Sequence, residues 1–128
     1  MSPLKHALVI DDDALNLKVL NVLLAAEGLS CVLVQDVSKM GAVIADDPEI
    51  DIVFLDLEMP HMDGYQAYGL LRNLLGSEVP IVACTVYGNE ASTVRELGFQ
   101  GFISKPLDPK RFPEQFNAIA SGQEVWDS

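Results

Sequence analysis

The chain has 128 residues, 49% of them hydrophobic, so one domain of this length can bury a core without disulfides or structural metals. Its 19 acidic and 8 basic residues give a formal net charge of -11 at pH 7, which argues against direct binding to nucleic acid or to an anionic membrane surface and favours basic partners or metal cations. No signal peptide or membrane-spanning stretch is present, and Cys31 and Cys84 lie inside apolar runs, so we expect a cytoplasmic protein with reduced, buried thiols.

The first half of the chain predicts two strand and helix pairs followed by a central strand. Residues 7–10 form a short apolar run, and apolar side chains recur at helical spacing over residues 14–27. A second run over residues 31–34 precedes a short helix over residues 38–45. Ile52–Leu55 gives four successive apolar residues, the pattern of a strand buried on both faces of a parallel sheet.

The second half predicts the remaining elements, which are a helix over residues 63–75, a strand over 79–85, a helix over 89–97, a strand over 99–104 and a helix over 108–121. Asn89 and Asp108 are candidate N-caps of the last two helices. Pro113 lies just past the first turn of the last helix, where we expect a local distortion. Residues 122–128 predict a short polar tail beyond a domain core of about residues 5–121.

Strands and helices thus alternate five times with short connections. This order predicts an α/β fold, a doubly wound five-stranded parallel sheet flanked by helices. Right-handed crossovers bring the carboxyl ends of all strands to one edge of the sheet, where ligands bind in such folds. No glycine-rich dinucleotide fingerprint follows the first strand, so nucleotide binding is disfavoured.

Residues that can carry chemistry follow four of the predicted strands. Asp11 and Asp12 follow the first strand, and Asp56 follows the third. Thr85 ends the fourth strand and Lys105 follows the fifth. Three clustered carboxylates need a cation, and hard oxygen ligands with room for waters suit Mg²⁺. An ammonium and a hydroxyl beside them can bind phosphoryl oxygens, so the set predicts phosphoryl transfer to a carboxylate.

The Asp11-Asp12 pair, the stretch FLDLEMPHMDG around Asp56, Thr85, and Lys105-Pro106 occur in one order along the chain. With these motifs the chain resembles the receiver domains of two-component response regulators over nearly its whole length. The resemblance implies one receiver domain over residues 1–128, with a flavodoxin-like (βα)5 fold and strand order 2-1-3-4-5. It also implies a cis peptide bond between Lys105 and Pro106.

The same resemblance assigns roles to the acids. It implies that Asp56 is the phosphoacceptor. It further implies that Asp12, Asp56 and the backbone carbonyl of Glu58 bind Mg²⁺, and that Asp11 supports the metal through water.

Three further residues receive roles from the resemblance. Thr85 and Lys105 would contact the phosphoryl group during the transfer. Thr85 would then act with Phe102 as the switch, with Phe102 as the rotating aromatic of the output face.

Val86 departs from the family pattern, in which the residue after the switch threonine is usually small. Its stiff β-branched side chain should lie along the rim through which a phosphodonor or a water molecule reaches Asp56. We therefore expect Val86, together with Glu58 and Tyr87, to narrow access to the phosphoacceptor.

Three functions fit these residues. In the leading hypothesis the chain is a signalling switch, not an enzyme with a separate substrate. Asp56 takes a phosphoryl group from a histidine kinase or a histidine phosphotransfer protein, and the phosphorylated state alters an output surface. A homodimer through the fourth helix, fifth strand and fifth helix is a further predicted partnership.

Two alternatives remain open at this point. The first is a small phosphatase with an aspartyl-phosphate intermediate, as in haloacid-dehalogenase-like enzymes, although the chain lacks their usual second aspartate and a cap domain. The second is a receiver-like binding module that is never phosphorylated. The complete acid, threonine and lysine set argues against such a module, and Val86 leaves it some weight.

Overall fold

The computed structural model describes residues 4–46, 49–59, 62–86 and 91–126. Its elements are β1 His6–Ile10, α1 Ala14–Ala26, β2 Ser30–Val34, α2 Met40–Asp46, β3 Ile52–Leu55, α3 Gly64–Leu75, β4 Ile81–Thr85, α4 Ala91–Leu97, β5 Gly101–Ser104, α5 Phe112–Ala120 and β6 Val125–Trp126. A 3-10 turn, Val37–Lys39, stands where the predicted second helix was to begin. The predicted cap Asn89 lies outside the described residues. Across these ranges, every helix is too short or too polar to cross a bilayer.

All six strands form one parallel sheet in the order β2-β1-β3-β4-β5-β6. This topology confirms the predicted α/β fold and the strand order 2-1-3-4-5. It adds a sixth strand in the segment that was predicted to be a polar tail. Apolar side chains of the central strands point to both faces of the sheet, so each face carries a buried core, one packed on α1 and α5 and the other on α2, α3 and α4.

The last helix begins later than the sequence predicts. The Asp108 side chain accepts a hydrogen bond of 2.9 Å from the Lys110 amide, and it caps the turn at residues 109–111 that leads directly into the helix. Helix α5 starts at Phe112, so Pro113 lies in the first turn, where its missing N–H removes no helical hydrogen bond. The predicted distortion at Pro113 is therefore wrong.

Strands β4 and β5 each begin two residues later than predicted. Pro80 has no amide for the sheet, and the preceding carbonyl, that of Val79, accepts a 2.6 Å hydrogen bond from the Arg72 guanidinium. The Phe99 amide donates to the Val94 carbonyl at 3.1 Å and so closes the end of α4. Val79 and Phe99, just before the two strands, therefore form hydrogen bonds with neighbouring helices and do not pair in the sheet.

Helix α3 begins in direct contact with the loop that leaves β3. Its N-cap, Asp63, accepts a hydrogen bond of 2.8 Å from the Gln66 amide. The Gly64 amide donates to the Leu57 carbonyl at 3.1 Å, and a Cβ at Gly64 would lie only 2.5 Å from the Leu57 Cα. Because Leu57 follows Asp56 directly, the absence of a side chain at Gly64 helps to fix the loop beside that acid.

Gly64→Ala should lower the free energy of unfolding by about 2 kcal/mol, because the new methyl group overlaps backbone atoms of Leu57. Gly69→Ala is the matched control in the same helix, since its added Cβ meets no atom within 4 Å apart from its chain neighbours and the nearby backbone of the helix itself. It should raise the free energy of unfolding by up to about 1 kcal/mol through helix propensity. Urea denaturation measures both changes, and equal shifts in one direction would contradict the close contact at Gly64.

Candidate functional site

The predicted site residues meet at the carboxyl edge of the sheet. Asp11 and Asp56 follow the neighbouring strands β1 and β3, Thr85 ends β4, and Lys105 follows β5. Backbone pairing continues up to these residues, since the Asp56 amide donates to the Ile10 carbonyl and the Lys105 amide to the Thr85 carbonyl, both at 2.9 Å. Strand register therefore fixes where each functional side chain starts.

These side chains share one open cavity of about 230 Å³. Its lining residues are Asp11, Asp12, Asp13, Asn16, Asp56, Glu58, Thr85, Val86 and Lys105. Asp11, Asp56 and Thr85 are buried, whereas Asp12, Glu58 and Val86 are exposed at the rim. The predicted acids, hydroxyl and ammonium are thus brought together. Asn16 was not anticipated, although its position in the first turn of α1, four residues after Asp12, is a signal in the sequence.

The acids cluster around one buried ammonium. Asp11, Asp12 and Asp56 each offer a carboxylate oxygen, and these atoms lie within 4.8 Å of one another. Lys105 Nζ lies 2.6 Å from Asp11 Oδ2 and 3.6 Å from Asp56 Oδ1, and only 9% of the lysine side chain is exposed. One ammonium against three carboxylates leaves an excess of negative charge, which a metal cation could neutralise.

Backbone amides orient the two buried carboxylates. The Asp13 amide donates to Asp11 Oδ1 at 2.9 Å, and the Glu58 amide donates to Asp56 Oδ1 at 3.1 Å. Each acid is therefore held by the residue two positions later, a local turn that aspartate forms readily. Asp13 is the N-cap of α1, and its side chain accepts a 2.9 Å hydrogen bond from the Leu15 amide.

Burial and neighbouring charges both change the pKa values of Asp56 and Lys105. The pKa of Asp56 is raised from 3.8 to about 7, chiefly by burial and also by the Asp11 charge, against the lowering effect of the Glu58 amide and the Lys105 charge. Burial alone would lower the pKa of Lys105, but its hydrogen bond and charge pairing with Asp11 outweigh burial and raise it. Lys105 is therefore an ammonium at neutral pH, whereas a pKa of about 7 leaves Asp56 divided between its carboxylate and its protonated form.

The Thr85 hydroxyl is buried and has no hydrogen-bond partner among the described residues. Leaving a buried hydroxyl unpaired costs about 1–3 kcal/mol, so such a group calls for an explanation. Its place in the cavity beside Lys105 offers one, because a hydroxyl and an ammonium can together bind an anionic oxygen. The site thus combines a place for a cation with a place for an anion.

Phe102 and Tyr87 were also predicted to belong to the site. Phe102 does not line the cavity; it is fully buried in the core on the side of α2, α3 and α4. Tyr87, predicted to narrow the access route, lies outside the described residues. The peptide bond between Lys105 and Pro106 is cis, as the resemblance implies.

Comparisons with known proteins agree with this geometry. A family model described as the response regulator receiver domain matches residues 7–117. The osmosensing histidine protein kinase SLN1 of Saccharomyces cerevisiae is 30% identical over 107 residues, which cover 78% of this chain but only 9% of that protein. An uncharacterised 14.6 kDa protein of Leptolyngbya boryana is 32% identical over 105 residues, covering 80% of this chain and 79% of that protein. The chemotaxis protein CheY4 of Vibrio cholerae has a similar fold, with a TM-score of 0.80 and 18% identity over 91% of this chain and 98% of that one.

Lys105→Met should lower the free energy of unfolding by about 3 kcal/mol in metal-free buffer at neutral pH, because it leaves Asp11 buried without its counter-charge. Adding Asp11→Asn to that variant should recover part of the loss, since the unpaired charge is then removed. Lys110→Met, at an exposed lysine of the same loop, should change stability by less than about 0.5 kcal/mol. Urea denaturation of the unmodified chain, Lys105→Met, Asp11→Asn and the double variant forms the cycle, and additive effects would show that Asp11 and Lys105 do not interact.

Proposed function

Because the chain belongs to the family of response regulator receiver domains, we propose that it is a signalling switch in which Asp56 accepts a phosphoryl group from a phosphohistidine. One observation carries this proposal. The buried Asp56 carboxylate shares its cavity with the Lys105 ammonium, 3.6 Å away, and with the unpaired hydroxyl of Thr85. An anion delivered to Asp56 would meet both groups.

The transfer uses groups that line the cavity, a divalent cation and a phosphohistidine donor. A carboxylate oxygen of Asp56 forms a bond to phosphorus as the bond from phosphorus to the imidazole nitrogen breaks, and that nitrogen keeps the electron pair. Lys105 would pair with one oxygen of the transferred group, and the Thr85 hydroxyl would donate to another. Both residues are held by strand register, so little reorganisation is required.

The acids fit a divalent cation of the magnesium type. Asp12, Asp56 and the Glu58 carbonyl would hold it, all through hard oxygen atoms. Asp11 would support it through water, which agrees with the engagement of both Asp11 oxygens by Lys105 and a backbone amide. When bound, Mg²⁺ supplies positive charge for the carboxylates and the phosphoryl oxygens.

The switch follows from the position of Thr85. A phosphoryl oxygen would give its hydroxyl the hydrogen bond that the described residues do not supply. Thr85 is paired with Ser104 on β5, and Phe102 lies two residues earlier on that strand. A shift of Thr85 toward the phosphoryl group would therefore favour a different arrangement of β5 and Phe102, which is a change in population between two states.

The partners follow from the donor chemistry. We propose a histidine kinase or a histidine phosphotransfer protein as the donor, and the similarity to SLN1, which is named a histidine protein kinase, supports this class. A reducing cytoplasm agrees with the two free cysteines, and burial raises the pKa of Cys84 to about 12, which keeps that thiol unreactive. A homodimer through α4, β5 and α5 remains part of this proposal.

Incubation with acetyl phosphate and Mg²⁺ should add the mass of one phosphoryl group to the chain, measured by mass spectrometry of the intact protein. Asp56→Asn should lose the adduct because it removes the nucleophile, and Asp12→Asn or EDTA should lose it because they remove the metal. Asp13→Asn is the matched control, since asparagine also caps helices and Asp13 lines the same cavity without an assigned role.

Each result of this labelling experiment separates the candidate functions. Full labelling in EDTA would overturn the metal assignment, and labelling of Asp56→Asn would overturn the phosphoacceptor. Rapid turnover of acetyl phosphate without an adduct would favour the phosphatase. The absence of both an adduct and turnover would favour the inert module.

Val86 should restrict access to Asp56, because 59% of it is exposed and it lines the rim of the cavity. Val86→Ala should speed both labelling by acetyl phosphate and hydrolysis of the acyl phosphate by about tenfold, or ~1.4 kcal/mol of barrier. The melting temperature should stay nearly unchanged, since the side chain is not part of the core. Val22→Ala, at a comparably exposed valine on α1, is the control. Unchanged hydrolysis in Val86→Ala at equal Mg²⁺ would refute the access role.

A further inference from the structure

The sixth strand covers the outer edge of β5. Val125 pairs with Gly101 and Trp126 pairs with Phe102, both in parallel register. The chain reaches this edge by a tight reversal after α5, in which the Gln123 amide donates to the Ala118 carbonyl at 2.9 Å. In this arrangement the part of the β5 edge formed by Gly101 and Phe102 is not open to another strand.

One arginine of α4 contacts two residues of the segment Glu124–Trp126. The Arg95 guanidinium carbon lies 5.3 Å from the centre of the Trp126 ring, and Arg95 Nη2 lies 3.7 Å from Glu124 Oε2. The Trp126 ring also packs against the core that contains Phe102 and Val94. The segment therefore closes over β5 and is fastened to α4.

These contacts are weak individually. The Arg95 and Glu124 side chains are 61% and 52% exposed, so water screens their ion pair. Strand β6 has only two residues, and the Trp126 indole N–H is buried without a hydrogen-bond partner in the described ranges. An unpaired buried donor favours release of the segment, because water would satisfy it. The segment is thus held by a small balance of free energy.

The segment lies in line with the phosphoacceptor site. Phe102 pairs with Ala83 of β4 on one side and with Trp126 of β6 on the other. Thr85, which lines the cavity, is two residues beyond Ala83 on β4. Only one strand, β5, separates Thr85 on β4 from Trp126 on β6, so a movement of Thr85 can be passed to Trp126 through β5 alone.

We propose that the edge of β5 and the adjoining side of α4 form a strand-binding surface, which the chain's own segment Glu124–Trp126 occupies in the unphosphorylated form and vacates when Asp56 is phosphorylated. This inference rests on the proposed function. A partner that uses this surface, including a second copy of the chain, can bind it only after the segment has left. The segment thus binds a surface of the same chain, and phosphorylation of Asp56 determines the fraction of molecules in which the segment is bound.

Trp126 is the only tryptophan of the sequence, so its fluorescence reports directly on the segment. In the unphosphorylated chain its emission should be that of a partly buried indole, shielded from acrylamide. Acetyl phosphate with Mg²⁺ should shift the emission to the red and raise the quenching constant, as the ratio of released to docked segment increases by about tenfold. Asp56→Asn under the same conditions should show neither change.

Variants of α4 give the Trp126 fluorescence of the docked and of the released segment without phosphorylation. Arg95→Ala removes both contacts of the arginine and should give the released signal. Arg95→Lys keeps a charge for Glu124 and should lie between Arg95→Ala and the unmodified chain. Glu96→Ala, at the exposed neighbour of Arg95, is the matched control and should keep the docked signal.

Mass spectrometry on the same samples separates the two proposals. An adduct on Asp56 with unchanged Trp126 fluorescence would overturn the release of the segment and leave the phosphoacceptor standing. Equal quenching of Trp126 in the unmodified chain and in Arg95→Ala would show that the segment does not occupy the surface. The absence of any adduct would defeat the proposed function, and control of the segment by phosphorylation would fail with it.

Discussion

The Lys105 ammonium, 2.6 Å from Asp11 and 3.6 Å from Asp56, is the contact on which the site depends. Two carboxylates buried side by side would repel each other and would each lose hydration. The lysine compensates for one of these charges and leaves Asp12 and Asp56 available to a cation. The site therefore keeps an excess of negative charge that a metal ion could neutralise.

The parallel sheet makes this contact attainable from distant parts of the sequence. Asp11, Asp56, Thr85 and Lys105 lie on or just after four adjacent strands, so a common register brings them together without long ordered loops. Thr85 shows that the arrangement is not the most stable one available, because its buried hydroxyl has no hydrogen-bond partner among the described residues. The same adjacency of strands continues past the site to Phe102 and Trp126.

Sequence reasoning predicted what depends on pattern and missed what depends on distant partners. The run Ile52–Leu55 matches β3 residue for residue, because burial on both faces of a sheet leaves a continuous apolar signal. The start of the last helix was predicted too early, at Asp108. An aspartate that caps a turn and one that caps a helix leave the same signal in the sequence, and apolar periodicity does not distinguish them. Strand β6 was missed, because two residues carry no period and their main contact, Arg95, lies about thirty positions earlier.

The pKa of Asp56 is the most direct test, measured by NMR titration of its carboxyl carbon in metal-free buffer, in the unmodified chain and in Lys105→Met. We expect a pKa of about 7 in the unmodified chain and a higher one in Lys105→Met, because the ammonium that lowers the pKa is gone. With a folded pKa above the unfolded 3.8, the folded state binds the proton more tightly, so stability falls as pH rises from 3.8 to about 7. A pKa near 3.8, or one that Lys105→Met leaves unchanged, would contradict a buried Asp56 that depends on Lys105.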